Sequence, residues 1–97
     1  MRIMLKQNSG AIVNVLSTIG QPGEIGCGIH RAGRRAVEEL TKAAALEAAE
    51  SRVRVNAVAS RAGSLDEIAK TIVFLASDKA SSMTGQIIDI DGGRISF

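Results

Sequence analysis

The chain has 97 residues, enough for one small domain, and 45% of them are hydrophobic and 23% charged. A net charge of +2 and an aromatic content of 2% provide no basic stripe with stacking aromatics, which excludes a nucleic-acid-binding function. One cysteine cannot form an internal disulfide, and no charged leader or long apolar run is present, so we expect a cytoplasmic protein without a membrane span.

The first part of the chain predicts a short helix, a strand and a loop. Residues 1–7 are amphipathic, and Asn8 suits the left-handed end of a helix. Residues 11–16 form a branched apolar run, typical of a strand in a parallel sheet that is covered on both faces. Residues 17–28 contain four glycines and the only proline, which predicts a loop.

The remainder predicts two helices and two strands. Residues 29–49 are helical in period: Ala36, Leu40 and Ala44 recur at spacings of four, with Val37 and Ala43 alongside. The alanines make one face small, which suits close packing on a helix or a sheet. Residues 52–58 alternate as a strand. Ser64 and Glu67 form a capping box that opens the next helix, and residues 86–90 predict the last strand. This order of elements predicts an α/β fold with parallel strands and right-handed crossovers.

Several stretches, in this order, resemble the C-terminal half of the short-chain dehydrogenase/reductase family. They are residues 10–17, 36–47, 54–59, 61–63 with 66–69, 74–78, 84–86 and 91–93. The resemblance covers nearly the whole chain and implies a single partial domain, residues 1–97. It implies a truncated Rossmann-like fold of three parallel strands and two main helices. The family's glycine-rich Thr-Gly-x-x-x-Gly-x-Gly turn has no counterpart in this sequence, and its substrate-binding segment after residues 54–59 is deleted.

The resemblance also implies the site residues. In the family a serine stands thirteen residues before a Tyr-x-x-x-Lys pair; here Ser17, His30 and Arg34 occupy those positions. They are the catalytic candidates by resemblance, and Arg34 and Ser60 are the candidates for binding NAD or NADP. His30 is a plausible acid–base group but is shorter than tyrosine. Each candidate also has a structural alternative: Ser17 bonding local backbone, His30 bonding locally at the start of its helix, and Arg34 pairing with a carboxylate such as Glu38.

Three further sequence patterns resemble metal or phosphate sites but do not predict one. Cys27 and His30 have a zinc-like spacing, but the chain has no second cysteine or histidine, so we predict no metal centre. Asp89 and Asp91 lack the later acidic ligand of a calcium loop. The glycines from Gly23 to Gly28 are in the wrong order for a phosphate-binding turn and are interpreted as a connector.

Two functions therefore stay open, and the sequence does not decide whether the chain is an enzyme. The first is a fragment of an NAD(P)-dependent oxidoreductase for carbonyl and alcohol substrates, which we expect to be inactive as an isolated chain. The second is a non-catalytic module that associates with a second copy or with a full-length relative, or a decayed gene fragment without a function. A small-molecule substrate is implied only by the first.

Overall fold

A computed structural model describes residues 1–17, 28–60 and 65–90, except for the side chains of 17 and 29–31. Its elements are α1 (Arg2–Gln7), β1 (Gly10–Ser17), α2 (Gly28–Ala48), β2 (Val53–Ser60), α3 (Leu65–Ala76) and β3 (Ile87–Ile90), with 3-10 turns at Ala49–Ser51 and Asp78–Ala80. Of the predicted loop, Ser17 belongs to β1 and Gly28 to α2, and residues 18–27 lie outside the described residues, as do the capping Ser64 and the turn from Asp91. The predicted helix end is confirmed, since Asn8 has a left-handed φ of 55°.

The three strands form one parallel sheet in the order β1-β2-β3, which confirms the predicted α/β architecture. Gly10 to Ser17 pair in register with Val53 to Ser60, and Ala57 to Ser60 pair with Ile87 to Ile90. Because the strands are parallel, Ser17, Ser60 and Ile90 lie side by side where the strands end. This row is called the carboxyl edge of the sheet below.

A helix packs on each face of the sheet. On the α2 face, Leu16, Ala57 and Ala59 are buried together with Val37 of α2 beside them. On the α3 face, the buried cluster consists of Val58, Leu75 and Ala80, with half-buried residues around it: Val13, Ile72, Met83, Ile88 and Ile90. The central strand β2 is consequently covered on both faces, as residues 53 and 55–59 are all buried.

Two expectations about packing differ from the structure. The sheet-facing row of α2 includes Val37, Thr41, Ala45 and Ala48, whereas Leu40, which the sequence placed on the small packing face, remains 65% exposed. The buried hydroxyl of Thr41 explains the shift, since a hydrogen-bonded threonine can take a core position that an apolar pattern does not reveal. Strand β1 is not covered on both faces either: Val15 is 58% exposed.

On the α3 face of the sheet, two polar side chains of β2, Arg54 and Asn56, donate hydrogen bonds to main-chain carbonyls. The Arg54 guanidinium donates to the carbonyl oxygens of Leu75, Ser77 and Ala80 at 2.7, 2.9 and 2.7 Å. The side chain of Asn56 donates to the carbonyl of Met83 at 3.0 Å. The carbonyls of Ser77 and Ala80 also accept from the main-chain N–H groups of Ala80 and Met83 at 3.2 and 3.0 Å, so Arg54 adds a second bond to each of them. The side-chain bonds explain how polar residues occupy a central strand.

Candidate functional site

The carboxyl edge collects the sequence-predicted site residues that lie on strands. Ser17 ends β1 and Ser60 ends β2, and their Cα atoms are paired in register. Parallel α/β sheets bind ligands outside the carboxyl ends of their strands, because the strand-to-helix loops converge there. The backbone therefore brings Ser17 and Ser60 together at the end of the sheet where a ligand is expected, and Ser60 is half-buried.

The other two candidates lie near the beginning of α2, the helix that follows β1 in the chain. His30 is the third residue of α2, and Arg34 stands one helical turn further along. The side chains of Ser17 and His30 lie outside the described part of the structure. Arg34 is the catalytic candidate whose side chain is described.

Arg34 connects α2 to β3 through two carboxylates. Its Nε donates to Oε1 of Glu38 at 3.1 Å, and its Nη2 donates to Oδ1 of Asp89 at 2.7 Å. The pair with Glu38 is the structural alternative predicted from the sequence. Glu38 also lies 3.7 Å from Arg35, so two guanidinium groups share its charge. Two of the Arg34 nitrogens are therefore engaged by carboxylates.

A hydrogen-bonded pair joins the strand that carries Ser17 to the helix that carries His30 and Arg34. Asn14 of β1 donates through Nδ2 to Oγ1 of Thr41 in α2 at 3.1 Å. The Thr41 hydroxyl in turn donates to the carbonyl oxygen of Val37 at 2.7 Å, and Thr41 is fully buried. The pair fixes the offset between β1 and α2, and with it the relative position of the backbones of the candidate residues.

Sequence reasoning missed this pair and the role of Asp89 at the site. One signal for Asn14 was present, because it is the single polar residue inside the apolar run 11–16. Thr41 gave a weaker signal, as it lies in phase with Val37, Ala45 and Ala48 on the helix. No local sequence signal indicated Asp89, because it pairs with Arg34 across 55 positions of the chain.

Within the described ranges, no group of three or more histidine, cysteine or acidic side chains could hold a metal ion. Cys27, half of the zinc-like pair, lies outside those ranges. None of the described helices is long and apolar enough to cross a membrane.

Comparison with known proteins identifies the family. The sequence profile of the short chain dehydrogenases matches residues 1–77. This chain is a member of the short-chain dehydrogenase/reductase family. Among curated members, it is 37% identical to the 3-oxoacyl-(acyl-carrier-protein) reductase FabG of Thermotoga maritima, over 95% of this chain and 48% of the relative. It is 36% identical to a 3-oxoacyl-(acyl-carrier-protein) reductase of a Synechocystis species, over 99% of this chain and 49% of the relative.

Solved structures of the same family share the fold. The acetoin dehydrogenase YohF of Salmonella typhimurium superposes with a TM-score of 0.84 and 33% identity, covering 95% of this chain and 46% of the dehydrogenase. A short chain dehydrogenase of Mycobacterium smegmatis superposes with a TM-score of 0.80 and 32% identity, covering 97% of this chain and 45% of that enzyme. This short-chain dehydrogenase/reductase chain thus spans about half the length of the relatives it matches.

Proposed function

We propose that this chain carries the substrate-facing part of an oxidoreductase site that interconverts a carbonyl and an alcohol with NAD or NADP. The observation that supports it best is the register of Ser17 with Ser60 at the carboxyl edge, on a chain of this family. The relatives' names agree on the chemistry and differ in substrate, since they include 3-oxoacyl reductases and an acetoin dehydrogenase. The proposal therefore names the reaction class and leaves the substrate open.

In this proposal each candidate has a limited role. A hydroxyl at Ser17 is suited to donate a hydrogen bond to a substrate oxygen. An imidazole at His30 is suited to exchange a proton near neutral pH, but from a shorter side chain than the tyrosine of the family pattern. A misplacement of about 1 Å costs roughly 100-fold in rate. Arg34, the candidate to hold the dinucleotide, forms ion pairs with Glu38 and Asp89.

We further propose that the isolated chain does not catalyse the reaction and occurs in the cytoplasm. The sequence has no tyrosine at all, so the proton donor of the family pattern has no substitute of the same kind. The chain also corresponds to 48% of the Thermotoga maritima reductase, and we infer that the dinucleotide-binding part belongs to the other half. Residues outside this chain would then have to complete the site.

A chimera tests both parts of the proposal. The N-terminal half of the Thermotoga maritima reductase, joined to this chain, should show NADPH oxidation at background level with a 3-oxoacyl thioester. The double substitution His30→Tyr with Arg34→Lys should raise that rate by about 100-fold or more, the usual contribution of a positioned acid–base group. Arg35→Lys, one residue from Arg34 and equally conservative, is the matched control and should leave the rate at background.

Two results would contradict the proposal. One is a chimera that turns over without substitution at a rate near that of the intact reductase, which would contradict the proposed loss of activity from the histidine and arginine at the Tyr and Lys positions. The other is a doubly substituted chimera that folds and binds NADPH, as judged by circular dichroism and cofactor fluorescence, yet does not turn over. The second result would separate cofactor binding from the proposed catalytic roles.

The alternative proposal, an association module, is favoured by a specific feature of the surface. Large apolar side chains are exposed on both helices and on β1, among them Leu40, Leu46, Leu65, Val73 and Val15. A second copy or a full-length relative is the proposed partner in this alternative.

A further inference from the structure

The ion pair between Arg34 and Asp89 lies beside the carboxyl edge of the sheet. Asp89 of β3 stands opposite Ala59 of β2, one residue before Ser60 and Ile90, which belong to that edge. Residues opposite one another on paired parallel strands point to the same face, so Asp89 shares the α2 face with the buried Ala59. Its carboxylate therefore stands where α2 passes over the end of the sheet, 2.7 Å from Nη2 of Arg34.

Arg34 has the donors that a dinucleotide requires, and carboxylates hold part of them. A guanidinium is permanently charged and carries five N–H donors, which suit phosphate oxygens and hydroxyls. The Arg34 side chain is 25% exposed, so a ligand at the carboxyl edge can reach it. Its Nε–H is bonded to Glu38, and Nη2 donates to Asp89. The donor set fits the ligand, and the two carboxylates compete with that ligand for it.

The two carboxylates differ in how readily a ligand displaces them. Glu38 lies four residues from Arg34 on the same helix, its side chain is 14% exposed, and it also lies 3.7 Å from Arg35. Asp89 reaches Arg34 from another element, and its side chain is 62% exposed, so water already solvates much of it. An exposed ion pair of this kind is weak and releases its partners at little cost. Asp89 is therefore the carboxylate that a ligand replaces.

We propose that Asp89 is an internal competitor for Arg34. Its carboxylate occupies a guanidinium that would otherwise contact NAD or NADP, so the ion pair lowers the affinity of the site for the dinucleotide. The inference rests on the proposed function, because it takes Arg34 as the cation that contacts the cofactor. A ligand that must break the pair loses no more than the pair contributes. For an exposed pair that is about 1 kcal/mol, or about fivefold in dissociation constant.

Chemical modification of arginine tests the contact in the chain as it exists. Phenylglyoxal reacts with guanidinium groups, and a carboxylate that holds the group slows the reaction. Asp89→Asn should raise the rate at Arg34 about two- to fivefold, the range that an exposed pair allows. The rate at the neighbouring Arg35, which is 82% exposed, should not change. Mass spectrometry of the digested chain locates and quantifies both adducts.

Cofactor affinity is measured on the chimera described above, with His30 and Arg34 unsubstituted, by the fluorescence of bound NADPH. Asp89→Asn should lower the dissociation constant about two- to fivefold. Asp78→Asn is the matched control, because it removes the same charge from an exposed residue of the turn that packs on the α3 face. It should leave the constant unchanged. In an Arg34→Gln background, Asp89→Asn should have no effect, since the cation for which it competes is gone.

Each arm has a result that overturns the inference. In the isolated chain it is a modification rate at Arg34 that Asp89→Asn leaves unchanged. In the folded chimera it is an absence of NADPH binding with either residue at position 89, or weaker binding with asparagine, which would show that Asp89 itself binds the cofactor. An equal effect of Asp78→Asn, or of Asp89→Asn without Arg34, would indicate a general effect of charge.

Failure of the proposed function gives a different result. That function fails if the chimera with His30→Tyr and Arg34→Lys folds and binds NADPH without turning over. The competition by Asp89 is measured as a modification rate and a dissociation constant, neither of which requires turnover.

Discussion

Two arginines, Arg54 and Arg34, have different roles because they contact different groups. Arg54 donates three hydrogen bonds to main-chain carbonyls at the end of α3, and Arg34 binds two carboxylates between α2 and β3. Arg34 is one-quarter exposed and the Asp89 side chain is mostly exposed, so solvent screens their attraction. Arg54 is therefore expected to matter more for stability than Arg34.

We predict that Arg54→Lys lowers the free energy of unfolding by about 2 kcal/mol. An ammonium cannot reach three carbonyl oxygens in the fork geometry of a guanidinium, and each bond to a charged donor is worth about 1.5–3 kcal/mol. Urea denaturation followed by circular dichroism measures the change. Arg35→Lys, at a side chain that is 82% exposed, should change the value by less than about 0.5 kcal/mol. Equal effects of the two substitutions would contradict this account of Arg54.

A double-mutant cycle on Arg34 and Asp89 should give a coupling energy below about 1 kcal/mol that decreases with salt. The reason is the exposure of the pair, which lets water and ions compete for both charges. Arg34→Gln, Asp89→Asn and the double substitution are compared by urea denaturation in low and high salt. A large, salt-independent coupling would show that the pair is shielded and holds β3 in place.

At the scale of elements, the contact between β1 and α2 depends on one polar link inside an apolar layer. Thr41 is fully buried, accepts from Asn14 and donates to Val37. Its neighbours in the layer are small, including Ala45 and Ala48, so the helix lies close to the sheet and the link is short. Buried polar groups are stable only when their partners remain, which makes this link sensitive to deletion.

We predict that Thr41→Val lowers the free energy of unfolding by about 1–2 kcal/mol. The substitution keeps the shape of the side chain but removes two hydrogen bonds and leaves the Asn14 amide without its acceptor. Thr71→Val is the matched control. The Thr71 hydroxyl makes the same bond to the carbonyl four residues before it, Glu67, but in an exposed setting. Urea denaturation measures the free energy of unfolding of both variants. If Thr71→Val is as destabilised as Thr41→Val, the hydrogen bond between Asn14 and Thr41 does not have the proposed role.

At the scale of the whole molecule, a small three-stranded sheet is expected to have low stability. The two layers of helix cover β2 on both faces, while β1 retains an exposed valine.

We predict that excess NADH or NADPH leaves the melting temperature of the isolated chain unchanged to within about 1 °C. A ligand present at about 100 times its dissociation constant adds about 2.7 kcal/mol, enough to shift a domain of this size by several degrees. Thermal melts with and without each cofactor, monitored by circular dichroism, make the test. A shift of several degrees would show that a dinucleotide site persists in this chain.

Local pattern in the sequence was sufficient for the element order, the parallel sheet and the family. The branched apolar run 11–16, the helical period after residue 29 and the spacing of Ser17, His30 and Arg34 are local features. Even the pair of Arg34 with Glu38 could be expected, since residues four apart on a helix are neighbours.

Only the tertiary structure decided which contacts join distant parts of the chain. Arg34 meets Asp89, Asn14 meets Thr41, and Arg54 meets the carbonyls of residues 75, 77 and 80, all across more than twenty positions. It also decided which row of α2 faces the sheet. The physical reason is that propensity and periodicity act over one or two turns of chain. The pairing of buried polar groups, in contrast, depends on how two faces are brought together, and the sequence around each residue does not specify that.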